Sequence, residues 1–137
     1  MSERKKIAAI VTAYFPESHG SHADLLVSKF AAGFPCGDGI SEPKVDLVSM
    51  YIDQPHWTTM GKELANQWGL QTYPSIRGAL TLKSQERPGH WTPETDTMPG
   101  ELAVDGVIIV AEHGDYAANE QQRQLYPRKQ FFEQEFL

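Results

Sequence analysis

Cysteine is nearly absent from this chain. Cys36 is the only one, which excludes an intrachain disulfide and any thiolate zinc cluster and agrees with a reducing compartment. Set between Pro35 and Gly37, it reads as a loop residue rather than a nucleophile. Positive charge is scarce as well: twelve Lys and Arg stand against eighteen Asp and Glu, for a net charge of -6. No basic stripe offsets that balance, and a field of this sign repels duplex nucleic acid and anionic membrane surfaces. The expected partner is a small-molecule ligand, with no nucleic acid and no membrane. No apolar run approaches the roughly 20 residues of a membrane span. The stretch "RKKIAAIVTAYF" imitates a signal peptide, but Pro16, Glu17 and Ser18 follow it in place of a small-residue cleavage site. It therefore reads as a buried first strand preceded by solvated charges, and the protein as cytoplasmic. The length, 137 residues, fits a single domain and is short for a complete two-domain enzyme.

What is present is an alternation of strands and helices. Residues 7–13 are rich in Ile, Val and Ala, the composition of a strand covered on both faces of a parallel sheet. Ser21 opens a helix, with Asp24 three residues on as a capping box. Ala23, Leu26, Val27, Phe30, Ala31 and Phe34 follow as one apolar stripe. Residues 33–44 read as a Gly/Pro loop and 45–53 as a second strand ending at Asp53. Met60 to Trp68 make a helix stopped by Gly69, "LQTY" a short third strand, and Ser75 the cap of a helix from Ile76 to Leu82. Residues 83–100 form a long loop, 104–112 a fourth strand, and Pro127 starts a final helix over 127–137. The expected architecture is an α/β, Rossmann-like open parallel sheet of at least four strands in the order 3-2-1-4, with helices on both faces. Its core spans residues 5–116 of a single domain, 1–137. Phe131, Phe132, Phe136 and Leu137 make the last helix too apolar for a free end. They are expected to dock on this sheet, on another subunit of a homo-oligomer, or on a C-terminal domain outside this chain.

In an open parallel sheet ligands collect beyond the carboxyl ends of the strands, where the strand order reverses. The 3-2-1-4 order places Glu17, Ser18, His19 and His22 between "EHGDY" (112–116) and "DQPHW" (53–57). Most of the chain's histidines then share one rim, and His90 in the long loop is placed to fold over it.

The order of these pieces resembles a known family. "KKIAAIVTAYF", a helix, "VDLVSMYIDQ", "MGKELANQWGLQTYPSIRGAL" and "VDGVIIVAEHGDY" look like the N-terminal Rossmann domain of the glucose-fructose oxidoreductase / inositol dehydrogenase (Gfo/Idh/MocA) family. Ala65, Trp68-Gly69, Tyr73, Ser75 and Leu80 fill in order the family's pattern linking strands two and three to the next helix. The resemblance spans about residues 5–116. It implies an NAD- or NADP-binding module of an oxidoreductase, with Asp53 on the adenosine ribose and Gly20, Ser21 and His22 nearest the pyrophosphate. The chain departs from the family at the first turn, where Phe15-Pro16-Glu17 replaces the glycine-rich loop that presents backbone N–H groups to phosphate. The family's Glu-Lys-Pro catalytic motif and its C-terminal substrate domain have no counterpart in the sequence, and Lys129 in "YPRKQ" does not fit that motif.

Two readings of the first turn follow. In one it is a degenerate nucleotide turn of a dehydrogenase-like domain that works with a missing or separate part. In the other the site has changed, and His19, His22, His113 and Asp115, with Glu112, meet around a divalent metal or an anionic substrate.

Overall fold

The computed structural model describes residues 3–55, 59–83 and 102–136. The central strand, β1 (Lys5–Val11), is followed by a single 3-10 turn at Glu17–His19 and by α1 (His22–Ala32). A hairpin of β2 (Phe34–Cys36) and β3 (Gly39–Ser41) leads to β4 (Val45–Ile52), α2 (Met60–Trp68), β5 (Gln71–Tyr73) and α3 (Ile76–Thr81). The last elements are β6 (Gly106–Val110) and α4 (Arg128–Phe136).

The expected fold class holds. Four strands form a sheet in the order β5-β4-β1-β6, and β1 pairs in parallel with both β4 and β6. These are the four segments expected as strands, in their expected spatial order. The numbering differs from 3-2-1-4 because residues 34–41, expected as loop, form the added antiparallel hairpin. Cys36 accordingly lies in an exposed hairpin strand. Three-residue strands joined across Gly37 are too short for periodicity to register.

Side chains of β1 alternate between two cores, as the period of a strand requires. Ala9 and Val11 pack with Ala23 and Val27 of α1 and Ala65 of α2, while Ala8 and Ile10 pack with Ile76, Ala79 and Leu80 of α3 and Phe131 of α4. Helices thus cover both faces. Gly61 lets α2 lie close on its face, since a Cβ there would stand 2.5 Å from Ile52 Cδ1 and 3.0 Å from Tyr14 Cβ. Tyr14 itself is buried, and desolvation, reinforced by the Asp24 carboxylate that accepts from its hydroxyl, pushes its pKa well above the ordinary phenol value.

The helix ends follow local chemistry. Ser21 and Ser75 accept at their hydroxyls from the N–H of Asp24 and Gly78, and Gly69 closes α2 in the left-handed conformation at φ 73°. The expected stripe of α1 is only half realised: Ala23 and Val27 are buried, whereas Leu26 and Phe30 are 42% and 39% exposed and Phe34 belongs to the hairpin. The final helix docks on its own sheet through Phe131, which is 2% exposed and meets Tyr51 edge to face, while Phe132 points outward and is 56% exposed. No helix among the described residues is long and apolar enough to cross a membrane. The expected long loop beyond Lys83, with His90, and His56 and Trp57 of the rim lie outside the described residues, as does Leu137.

Candidate functional site

With β4 on one side of β1 and β6 on the other, the strand order reverses between β1 and β6. The crevice beyond their carboxyl ends is the place where this fold holds ligands. The chains leaving the two strands stay joined past their ends. The Thr12 backbone N–H donates to Val110 O at 3.2 Å, and the Thr12 hydroxyl donates to Glu112 O at 2.6 Å. That bond fixes the backbone of Glu112 opposite the start of α1. The buried cap Ser21 sets where α1 begins and so makes His22 its first residue.

Across this gap a Glu112 carboxylate oxygen and His22 Nδ1 are hydrogen-bonded. The next residue, His113, has a left-handed backbone at φ 65°, and Gly114 follows at φ 126°. Left-handed backbone at a non-glycine residue is uncommon and clusters at functional turns. It brings the His113 ring to 5.1 Å from that of His22 and edge-on to Phe15 at 5.5 Å. The Nε2 of His113 is sealed from solvent and has no hydrogen-bond partner among the described residues. One ligand atom each from His22, Glu112 and His113 lie within 4.8 Å of one another. Two imidazoles and a carboxylate are a donor set suited to zinc, and also to manganese or iron. Arg128, at the start of α4, stands beside them, with Nε donating to Ala111 O at 3.0 Å and a terminal nitrogen 3.5 Å from the second Glu112 oxygen.

The other expected residues take different places. His19 lies outside the three-residue cluster, its Nδ1 3.3 Å from the Ser18 hydroxyl, and borders an open crevice of about 610 Å³ together with Phe15, His113 and Tyr126. Asp115 is also outside the cluster. Its side chain is exposed, and its backbone is clamped by Gln54, which donates to Asp115 O at 2.8 Å and accepts from Asp115 N–H at 2.7 Å. Gly20 has φ 87° and open space around it. Asp53 has both carboxylate oxygens occupied from within the fold: Tyr51 donates to one at 2.6 Å and Tyr116 to the other at 2.7 Å. It thereby ties the end of β4 to the turn after β6.

Sequence reasoning placed Glu112, Gln54 and Tyr116 in the rim segments, gave the last two no role, and missed Arg128. Nothing local in "YPRKQ" marks its arginine as a neighbour of a strand end sixteen residues earlier. Comparison with protein-family models, curated proteins and solved structures found no match.

Proposed function

We propose that this chain is a Rossmann-like domain that binds a divalent metal, zinc first among the candidates, through His22, Glu112 and His113. The supporting observation is the convergence of these three side chains within 4.8 Å at the point where the strand order reverses. A buried imidazole nitrogen without a partner is costly unless something binds it, and a metal does so. Three protein ligands leave a fourth position of a tetrahedral ion for water or a small ligand, the pattern of a reactive rather than a purely structural zinc. When bound, the ion would supply Lewis-acid chemistry at that position.

A dinucleotide module of the Gfo/Idh/MocA type is the reading this proposal displaces. A pyrophosphate needs donors and positive potential at the first residues of α1. There the Glu112 carboxylate bonds His22 instead, and its charge favours a cation over phosphate. Asp53, the residue that would meet the ribose, already accepts two phenol protons.

The test is calorimetric titration of zinc into metal-free protein, with His113→Ala beside the wild type and a melting experiment with NAD(H) and NADP(H) as a separate arm. Zinc binding by the wild type, lost in the variant, is the expected result. A melting shift with a dinucleotide and none with zinc would restore the oxidoreductase reading, because only a ligand of the folded state stabilises it by mass action. Equally weak zinc binding by both proteins would remove the metal from this rim.

A further inference from the structure

We propose that the cavity beside the histidine cluster takes a small organic acid, with its carboxylate held by Arg128 and its apolar body laid over Leu26, Ile109 and Phe132. The inference deepens the metal reading and rests on it for one of its two electrostatic anchors. The cavity has a volume of about 430 Å³ and lies between α1, the end of β6 and α4. That is the size of a small-ligand site. His22 and Glu112 line it together with Arg128, so two of the three proposed metal ligands share this space with the guanidinium, while His113 lines the neighbouring crevice.

Charge decides the sign of the ligand. A divalent ion takes up the negative charge of Glu112, the only carboxylate lining this cavity among the described residues, and leaves the guanidinium uncompensated. The site is then positive and calls for an anion. Arg128 is positioned to receive one: its Nε is held by Ala111 O at 3.0 Å, and its guanidinium carbon lies 5.4 Å over the Tyr126 ring. The terminal nitrogens of such an anchored fork match a carboxylate in plane. The second Glu112 oxygen lies 3.5 Å from one of them, a long hydrogen bond and ion pair that a metal held by Glu112 weakens.

Shape decides the rest of the ligand. Leu26, Ile109 and Phe132 are 42%, 37% and 56% exposed and form the apolar wall of the cavity. A bare inorganic anion leaves that wall in water. A carboxylate carrying a few carbons covers it, and each buried methylene tightens binding about fourfold.

The experiment uses the full chain loaded with zinc and titrated by calorimetry with acetate, butyrate and, as a neutral control, butanol. Butyrate is expected to bind more tightly than acetate, and butanol not at all. Arg128→Gln is expected to weaken butyrate about tenfold or more while circular dichroism stays as in the wild type and zinc still binds. Phe132→Ser should erase the advantage of butyrate over acetate and leave acetate unchanged. Zinc binding without butyrate binding overturns the inference and leaves the metal reading in place. Butyrate binding that needs Arg128 but no zinc removes the metal and keeps the cavity. Sedimentation showing a dimer that Phe132→Ser dissociates, with no butyrate binding, overturns the inference in favour of a second copy on this face.

Discussion

Glu112, just past the end of β6, hydrogen-bonds Nδ1 of His22, the first residue of α1, across 90 residues of sequence. In a metal complex the ion takes the place of the proton these two atoms share. Glu112→Gln keeps the shape and removes the charge, so zinc affinity should fall by at least about tenfold, measured by calorimetry. Wild-type affinity should also be lower at about pH 5.5 than at about 7.5, because the ligand atoms must be deprotonated to hold the ion and metal binding is therefore pH-dependent. Equal affinity of variant and wild type would place the ion elsewhere.

Asp53 accepts from Tyr51 and Tyr116, and Tyr51 is only 3% exposed. Asp53→Ala leaves both hydroxyls without this acceptor and should destabilise the fold by about 1–3 kcal/mol in urea unfolding. A carboxylate kept only to meet a ribose would be removed at no such cost. Unchanged stability would return Asp53 to the nucleotide reading.

Asp105 joins β6 to the start of β1 twice, accepting from Lys6 N–H at 2.9 Å through its carboxylate and donating its own N–H to Lys6 O at 2.7 Å. The backbone hydrogen bond from Lys6, with the nearby Lys5 ammonium adding to it, holds the Asp105 carboxyl below its ordinary value. A carboxylate depressed in the folded state stabilises above its unfolded value, near 3.9, and loses that contribution as pH falls through the folded value. Asp105→Asn should therefore be less stable than wild type at neutral pH, with the difference shrinking in acid. Thermal unfolding of both proteins from neutral pH to about pH 2 measures it; a difference independent of pH would refute the assignment.

Phe131 and Phe132 are neighbours in α4 with opposite environments, at 2% and 56% exposure. Phe131→Ala removes the ring that meets Tyr51 at 6.1 Å between centroids and should cost about 3–5 kcal/mol in chemical unfolding. Phe132→Ala should stay within about 0.5 kcal/mol of the wild type. The reverse order would mean that the helix sits with its other face on the sheet.

By itself the sequence determined the elements whose causes are local. Continuous apolar runs made β1, β4 and β6; Ser21, Ser75 and Gly69 set helix ends, because a hydroxyl three residues before an N–H or a glycine at positive φ acts within one turn. The parallel order followed from their alternation, which leaves few ways to connect strands through helices. The hairpin at 34–41 was hidden because three-residue strands carry no readable period. Tertiary structure alone decided which rim residues meet. The register of β1 on β6 sets Thr12 against Glu112 and so selects Glu112, rather than Asp115, to face His22. The positive φ of His113 turns its ring back to His22 while His19 stays with Ser18. Asp53 finds Tyr116 63 residues away, and α4 brings Arg128 beside Glu112. Such contacts depend on strand register and helix docking, which sum interactions over the whole chain, and no window of neighbouring residues contains them.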